Sequence, residues 1–212
     1  MENKIFIHIH IPKNAGTFIK MLSDNSPESR IFYPYLNQST KDPYGWGKTF
    51  SIVMKQHYNV SFLERNIPSI KSPKVQLFSV VRNPYDRIYS LWKFCRRDGV
   101  AGSVNLPAVP DKFEDFIYDL CDDEYLGQYM MQSQLFYIKG IEKYNGRVFK
   151  LEQQEILQRF LVDECKTSWN TKKVNDTPGP DYRKVYTPEL AMLVKNKFIK
   201  EFETLNYSTD LI

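Results

Sequence analysis

The chain has 212 residues, 42% of them hydrophobic and 15% aromatic, which supports a packed core and excludes a disordered chain. A net charge of +4 is too small for a nucleic-acid arm, and no nucleic-acid partner is expected. No run of about 18 apolar residues is present to span a membrane.

Lys4–Ile11 reads as a strand, with Ile5, Ile7, Ile9 and Ile11 on one face and Phe6, His8 and His10 on the other. This apolar run is short and broken by histidines, and no small-residue cleavage site follows it. It is therefore not a signal peptide, and a cytoplasmic location is expected. Thr17–Leu22 opens a helix. Residues 24–50, rich in Pro, Asn, Ser, Gly and Tyr, read as loop. Val60–Asn66 reads as a short helix. Lys74–Val81 is a nearly continuous apolar strand, the pattern of a central strand buried on both faces.

Asn83 is the expected cap of the next helix and Pro84 its first residue. Ile88, Leu91, Trp92 and Cys95 then fall at i, i+3, i+4 and i+7. Residues 98–110 form a Gly/Pro-bearing loop. Asp111 is the expected cap of a helix that turns Phe113, Phe116, Ile117 and Leu120 inward. Residues 128–138 read as another helix, Arg147–Leu151 as a third strand, and the stretch after it as a helix to about Cys165. Residues 166–186 are polar and turn-rich. Thr187-Pro188-Glu189 starts a last helix to about Leu205. Cys95, Cys121 and Cys165 are too widely spaced for a disulfide framework or a metal cluster and read as reduced, mostly buried side chains.

Strands alternating with helices predict an α/β fold. The expected form is a single P-loop-like, three-layer domain over residues 1–212, with a central, mostly parallel sheet flanked by helices. Ligands of such sheets bind beyond the carboxyl ends of the strands, where Pro12–Thr17 and Arg82–Ser90 begin.

The first of these segments reads IPKNAGT. Pro12 stops the strand ladder because it has no N–H to donate. Gly16 lets the backbone approach a ligand, and the amides of Asn14, Ala15, Gly16, Thr17 and Phe18 would face outward at a helix start. That is an anion site, to which Thr17 adds a hydroxyl and Lys13 a charge. A plain strand-to-helix turn with an exposed lysine is the alternative. The nucleotide cradle G-x-x-x-x-G-K-[ST] is missing, since Lys13 precedes the only glycine of the loop. No strand ends in an aspartate placed to hold Mg²⁺, because KVQLFSVV runs into Arg82. The loop suits a single 5′-phosphate without a metal.

The second segment, VVRNPYDRIYSLW, puts Arg82 at a strand end and Ser90 two helical turns on. A guanidinium and a hydroxyl can grip one phosphate there, unless Arg82 spends itself in a salt bridge. Arg87 has three outlets: Asp86, Asp115 or solvent.

Together these segments resemble one family. IHIPKNAGT is similar to the 5′-phosphosulfate loop of sulfotransferases that use 3′-phosphoadenosine 5′-phosphosulfate (PAPS). FSVVRNPYDRIYSLW is similar to their 3′-phosphate motif R-N-P-x-x-R-x-x-S. The carbohydrate branch, the heparan sulfate 2-O-sulfotransferase-like group with its bacterial and viral relatives, matches better than the steroid and phenol enzymes. KQHYNVSF resembles the stretch around that branch's catalytic histidine, RVFKLEQQEIL its third strand, and VNDTPGPDYRKVYTPEL its C-terminal signature. Two departures stand out: the chain is short for the family, and Asn14 occupies a position where threonine is frequent.

The resemblance implies PAPS as donor, the desulfated nucleotide PAP as product, no metal, and a hydroxyl acceptor such as a glycan or small metabolite. It implies that Lys13 stabilises the leaving phosphate and that His57 is the general base. Residues 13–18 and Arg82, Ser90 and Arg183 would bind the nucleotide, with Arg183 on a late loop that closes over it. His10, beside the cradle, supports the residues that bind the nucleotide or, like His8, is a satisfied strand histidine. Glu64 is a second candidate base, and Tyr182 and Tyr186 read as packing. Tyr33, Tyr35, Tyr44 and Trp46 either stack on sugar rings or form a satellite apolar patch. Lys93, Arg96 and Arg97 either steer an acidic glycan or are solvated helix charge. Two other classes compete: a P-loop kinase, which would need Mg·ATP, and an inactive nucleotide-binding module.

Overall fold

The computed structural model describes residues 4–32, 57–97, 109–124, 129–169 and 179–211. The first strand, β1 (Ile5–Ile9), is followed by helix α1 (Gly16–Asp24) and the two-residue strand β2 (Ile31–Phe32). β2 lies in a stretch expected to be loop, because two residues are too few to show a period. Helix α2 (Val60–Asn66) is capped by the side chain of Asn59, which accepts from the amide of Phe62. A 3₁₀ turn (Pro68–Lys71) leads to β3 (Val75–Val81), every residue of which is buried.

Helix α3 (Pro84–Cys95) has the expected Asn83 cap and Pro84 at its start. Its Ile88, Leu91 and Cys95 are buried. Helix α4 (Phe113–Cys121) buries Phe113, Phe116, Ile117 and Leu120 as expected, but its cap is Lys112 and not Asp111. Asp111 binds Arg96 instead, at 2.9 Å. The helix expected over 128–138 is broken into a 3₁₀ turn (Tyr129–Met131) and α5 (Gln134–Ile138). A 3₁₀ turn (Ile141–Tyr144) precedes β4 (Arg147–Lys150). Helix α6 (Gln154–Arg159) loosens into a π-helical turn (Phe160–Glu164). After a 3₁₀ turn (Tyr182–Lys184), α7 (Pro188–Thr204) starts on its Thr187 cap. Cys95 and Cys165 are buried and Cys121 half-buried, all three as thiols.

The four strands form one sheet in the order β2-β1-β3-β4, and every pairing is parallel. Ile5 to Ile9 of β1 face Val75 to Ser79 of β3 in register. Parallel strands need long crossovers, and the helices supply them. The chain is thus an α/β fold with a parallel sheet flanked by helices.

The described residues group into two compact units. The first comprises Met1–Val81 and Gln134–Val174 and holds the whole sheet. Phe6, Phe78, Val80 and Phe149 of its strands pack with Ile19 and Leu22 of α1 and with Leu157, Phe160 and Leu161. The second comprises Arg82–Ser133 and Asn175–Ile212. Its core joins Tyr85, Ile88 and Leu91 of α3, Phe116 and Ile117 of α4, and Val194 and Phe202 of α7. Burying side chains of this size stabilises each unit by roughly 1.5–3 kcal/mol per residue. Among the described residues no helix is long and apolar enough to cross a membrane, and no group of three or more His, Cys, Asp or Glu is placed to hold a metal ion.

Candidate functional site

The candidate residues fall in two groups, one per unit. In the first unit the arrangement starts from the shortness of β2. It ends opposite Ile7, so beyond that point no described strand pairs with that edge of β1. Alternate carbonyls of a strand point to opposite edges. The Ile9 carbonyl accepts from Ser79 Oγ on β3 at 2.8 Å. The His8 and His10 carbonyls accept from side chains instead: Tyr58 Oη at 3.0 Å and His57 Nδ1 at 2.9 Å. A carbonyl can only accept, so the uncharged His57 carries its proton on Nδ1 and its lone pair on Nε2. The expected base is thus half-buried at the end of β1 in the tautomer a base needs.

The loop after β1 leads directly into α1. Lys13 and Ala15 are both left-handed, with φ of 68° and 61°. Such a conformation leading into a helix turns successive N–H groups toward one point. The first intrahelical bond of α1 runs from Ile19 N–H to the Ala15 carbonyl, at 3.0 Å. The amides of Ala15, Gly16, Thr17 and Phe18 precede it, no side chain caps them, and the first turn has no acidic residue. Lys13 is half-buried and Thr17 exposed. Gly16 is required by close approach: a Cβ there would stand 1.9 Å from His10 Nε2.

Asn14 does not turn its amide outward as expected: its N–H donates to the Ile11 carbonyl at 3.3 Å, and its side chain is what the loop uses. It is 1% exposed, and its Nδ2 donates to the Val80 carbonyl at 3.0 Å and to Gln134 Oε1 at 2.5 Å. The loop is thereby tied to the end of β3 and to α5. Phe18 meets Trp169 edge to face at 5.3 Å, which puts aromatic surface beside the first turn of α1. Gln134 and Trp169 were not among the expected site residues. A lone tryptophan in the polar stretch after Cys165 was a usable signal for the latter; nothing local marks Gln134.

Burial holds the imidazoles of His8 and His10 uncharged, and at His10 the nearby charge of Lys13 adds to it. His8 is brought down to about 3. Glu64 points elsewhere: it accepts from Tyr144 Oη at 2.9 Å, and that bond holds its carboxyl below the usual range. A carboxylate so engaged is a weak base.

In the second unit, Arg82 donates through Nε to Asp86 at 2.7 Å, with both side chains about a quarter exposed at 22% and 24%. Asp86 and the half-buried Ser90 lie four apart on α3, so they share a face with Arg82 at its head. Arg87 takes none of its expected outlets. It is 1% exposed and donates through one terminal nitrogen to the Met130 and Gln132 carbonyls, at 3.1 and 2.9 Å. Arg183 is exposed on the turn Tyr182–Lys184, where it reaches Asp181 at 3.3 Å and lies over the Tyr182 ring at 4.6 Å. Nearby, Gly179 abuts Tyr89 and Lys93 of α3. Tyr186 is packing, as expected: it is buried, with Oη donating to the Tyr85 carbonyl at 3.0 Å. Arg96 and Arg97 lie over Trp92 and Phe94. Tyr33, Tyr35, Tyr44 and Trp46 lie outside the described residues.

No family model and no curated protein matches the sequence. Among solved structures, the crystal structure of mouse sulfotransferase SULT7A1 complexed with PAP is similar. The likeness covers 95% of this chain and 85% of that one, with a TM-score of 0.57 and 11% sequence identity. At that identity the shared property is the fold. The α/β architecture described above is sulfotransferase-like.

Proposed function

We propose that the protein is a PAPS-dependent sulfotransferase, one functional domain over residues 1–212, that acts on a hydroxyl acceptor of carbohydrate type. The observation that carries this reading is the pairing of His57 with the His10 carbonyl, in the same unit as the uncapped start of α1. A base and an anion cradle without acidic side chains suit group transfer from a charged donor. The motifs IHIPKNAGT and VVRNPYDRIYS support the choice of donor, and KQHYNVSF supports the carbohydrate branch.

The residues present fit the donor. The amides of Ala15–Phe18 and the hydroxyl of Thr17 would hold the 5′-phosphate, at the positive end of α1. Phe18 and Trp169 offer aromatic surface to a purine. Arg82, oriented by Asp86, and Ser90 would hold the 3′-phosphate, and Arg183 would close over the nucleotide. PAPS supplies the sulfuryl group and leaves as PAP, with no metal required. His57 Nε2 takes the proton of the acceptor hydroxyl as its oxygen bonds to sulfur. Lys13 would stabilise the negative charge that develops on the leaving phosphate. A cation aimed there in advance lowers the barrier by about 3 kcal/mol.

An acceptor screen with labelled PAPS tests this. Wild-type protein transfers label to a hydroxyl compound, and His57→Ala loses transfer by at least about a hundredfold. The variant binds PAP within a few-fold of wild type. Undiminished transfer by His57→Ala removes that residue from the base role.

A further inference from the structure

His10 touches both parts of the site in the first unit. Its carbonyl accepts from His57 Nδ1 at 2.9 Å, and the two rings stand 4.4 Å apart at a tilt of 59°. The other side of its imidazole rests on Gly16. A methyl group added there would stand 1.8 Å from Cδ2 and 1.9 Å from Nε2. Behind it the ring stacks on His8 at 5.7 Å, and His8 stacks on Phe78 at 4.9 Å. His10 is 6% exposed and His8 1%. Four rings therefore form a column from the core of the sheet to the candidate base. Close packing leaves such rings few alternative rotamers.

We propose that His10 is a positioning residue: its imidazole is the spacer that fixes the orientation of His57 and its distance from the amides at the start of α1. The consequence for sulfuryl transfer rests on the reading above; the spacer contact does not. The chemistry of the ring agrees with a spacer. Burial, with the nearby charge of Lys13, keeps it uncharged, so it is not a second proton carrier. The close approach also explains why a glycine opens α1, since any side chain there displaces the ring.

The chain contains three histidines, so ring-¹⁵N labelling of the full-length protein gives one set of nuclear magnetic resonance signals for each. In wild type, His57 favours the Nδ1–H tautomer by about tenfold, the bias a single hydrogen bond supplies. In His10→Ala that ratio falls at least about fivefold although the carbonyl remains, and His10→Phe, which keeps a ring, retains it. The contact itself is read from Gly16→Ala. That change weakens calorimetric PAP binding at least about tenfold in wild type and less than about threefold in the His10→Ala background. An unchanged His57 tautomer in His10→Ala overturns the proposal, as does an equal Gly16→Ala penalty in both backgrounds. If His10→Ala does not fold, loss of the fixed tautomer in folded His10→Phe overturns it. If wild type does not bind PAP, the sulfotransferase reading fails instead. The tautomer, and the melting temperatures of the Gly16→Ala pair, then still decide on the spacer.

Discussion

Asn14 ties a surface loop to the core through one amide group. Its Nδ2 serves two buried acceptors, the Val80 carbonyl and Gln134 Oε1. Asn14→Ala leaves both without that donor, and an unsatisfied buried acceptor costs about 1–3 kcal/mol. The urea midpoint should fall accordingly at an unchanged slope. An unchanged midpoint would mean that water replaces the side chain and that the loop does not depend on it. The sequence marked Asn14 for its backbone amide, which is a local property. It did not mark the side chain, because Gln134 lies 120 residues away. His57 was singled out from the stretch around it, but its tautomer depends on a carbonyl 47 residues upstream. Arg87 was misplaced for a similar reason, since its acceptors Met130 and Gln132 belong to another segment.

Elements that announce themselves by local signals were legible. Asn83, Pro84 and Thr187 mark helix starts because capping needs only the neighbouring amides. β3 was legible because a strand buried on both faces is an unbroken apolar run. β2 was not, because its two residues pair with β1 without any pattern of their own. The cap of α4 was missed because Asp111 pairs with Arg96, fifteen residues back in the chain. Just before the Asn83 cap of α3, Arg82 pairs with Asp86, and Ser90 lies one helical step beyond Asp86. If this face reads the 3′-phosphate, Arg82→Ala weakens PAP by at least about tenfold, the scale of a charge-assisted contact. Adenosine 5′-phosphosulfate, which lacks that phosphate, loses less than about threefold. Equal losses for both ligands would assign Arg82 to Asp86 alone.

The molecule as a whole carries two histidines that folding keeps uncharged, His8 and His10. In the unfolded chain both titrate near the ordinary value of 6.5. Above that pH neither state binds the protons, and stability is unaffected. Below it the unfolded chain takes up protons that the folded chain refuses, so stability falls as pH falls. The slope approaches about 1.4 kcal/mol per pH unit for each histidine, and the His8 contribution levels off near pH 3. Denaturant titrations between mildly alkaline and acidic pH should show this loss, and it should shrink in His8→Phe. A flat profile down to the carboxylate range would contradict the burial of both rings. The fold class was legible in the alternation of strands and helices, while the division into two units was not, because each unit is built from two separate stretches of chain.

The measurement that bears most directly on the proposed function is calorimetric binding of PAP to the full chain in EDTA, with ADP and Mg·ATP as comparators. The proposed function predicts tight PAP binding without metal and ADP weaker by at least about tenfold, since ADP lacks the 3′-phosphate. Preference for Mg·ATP, or equal affinity for PAP and ADP, would contradict it and leave Arg82 and Ser90 as structural residues.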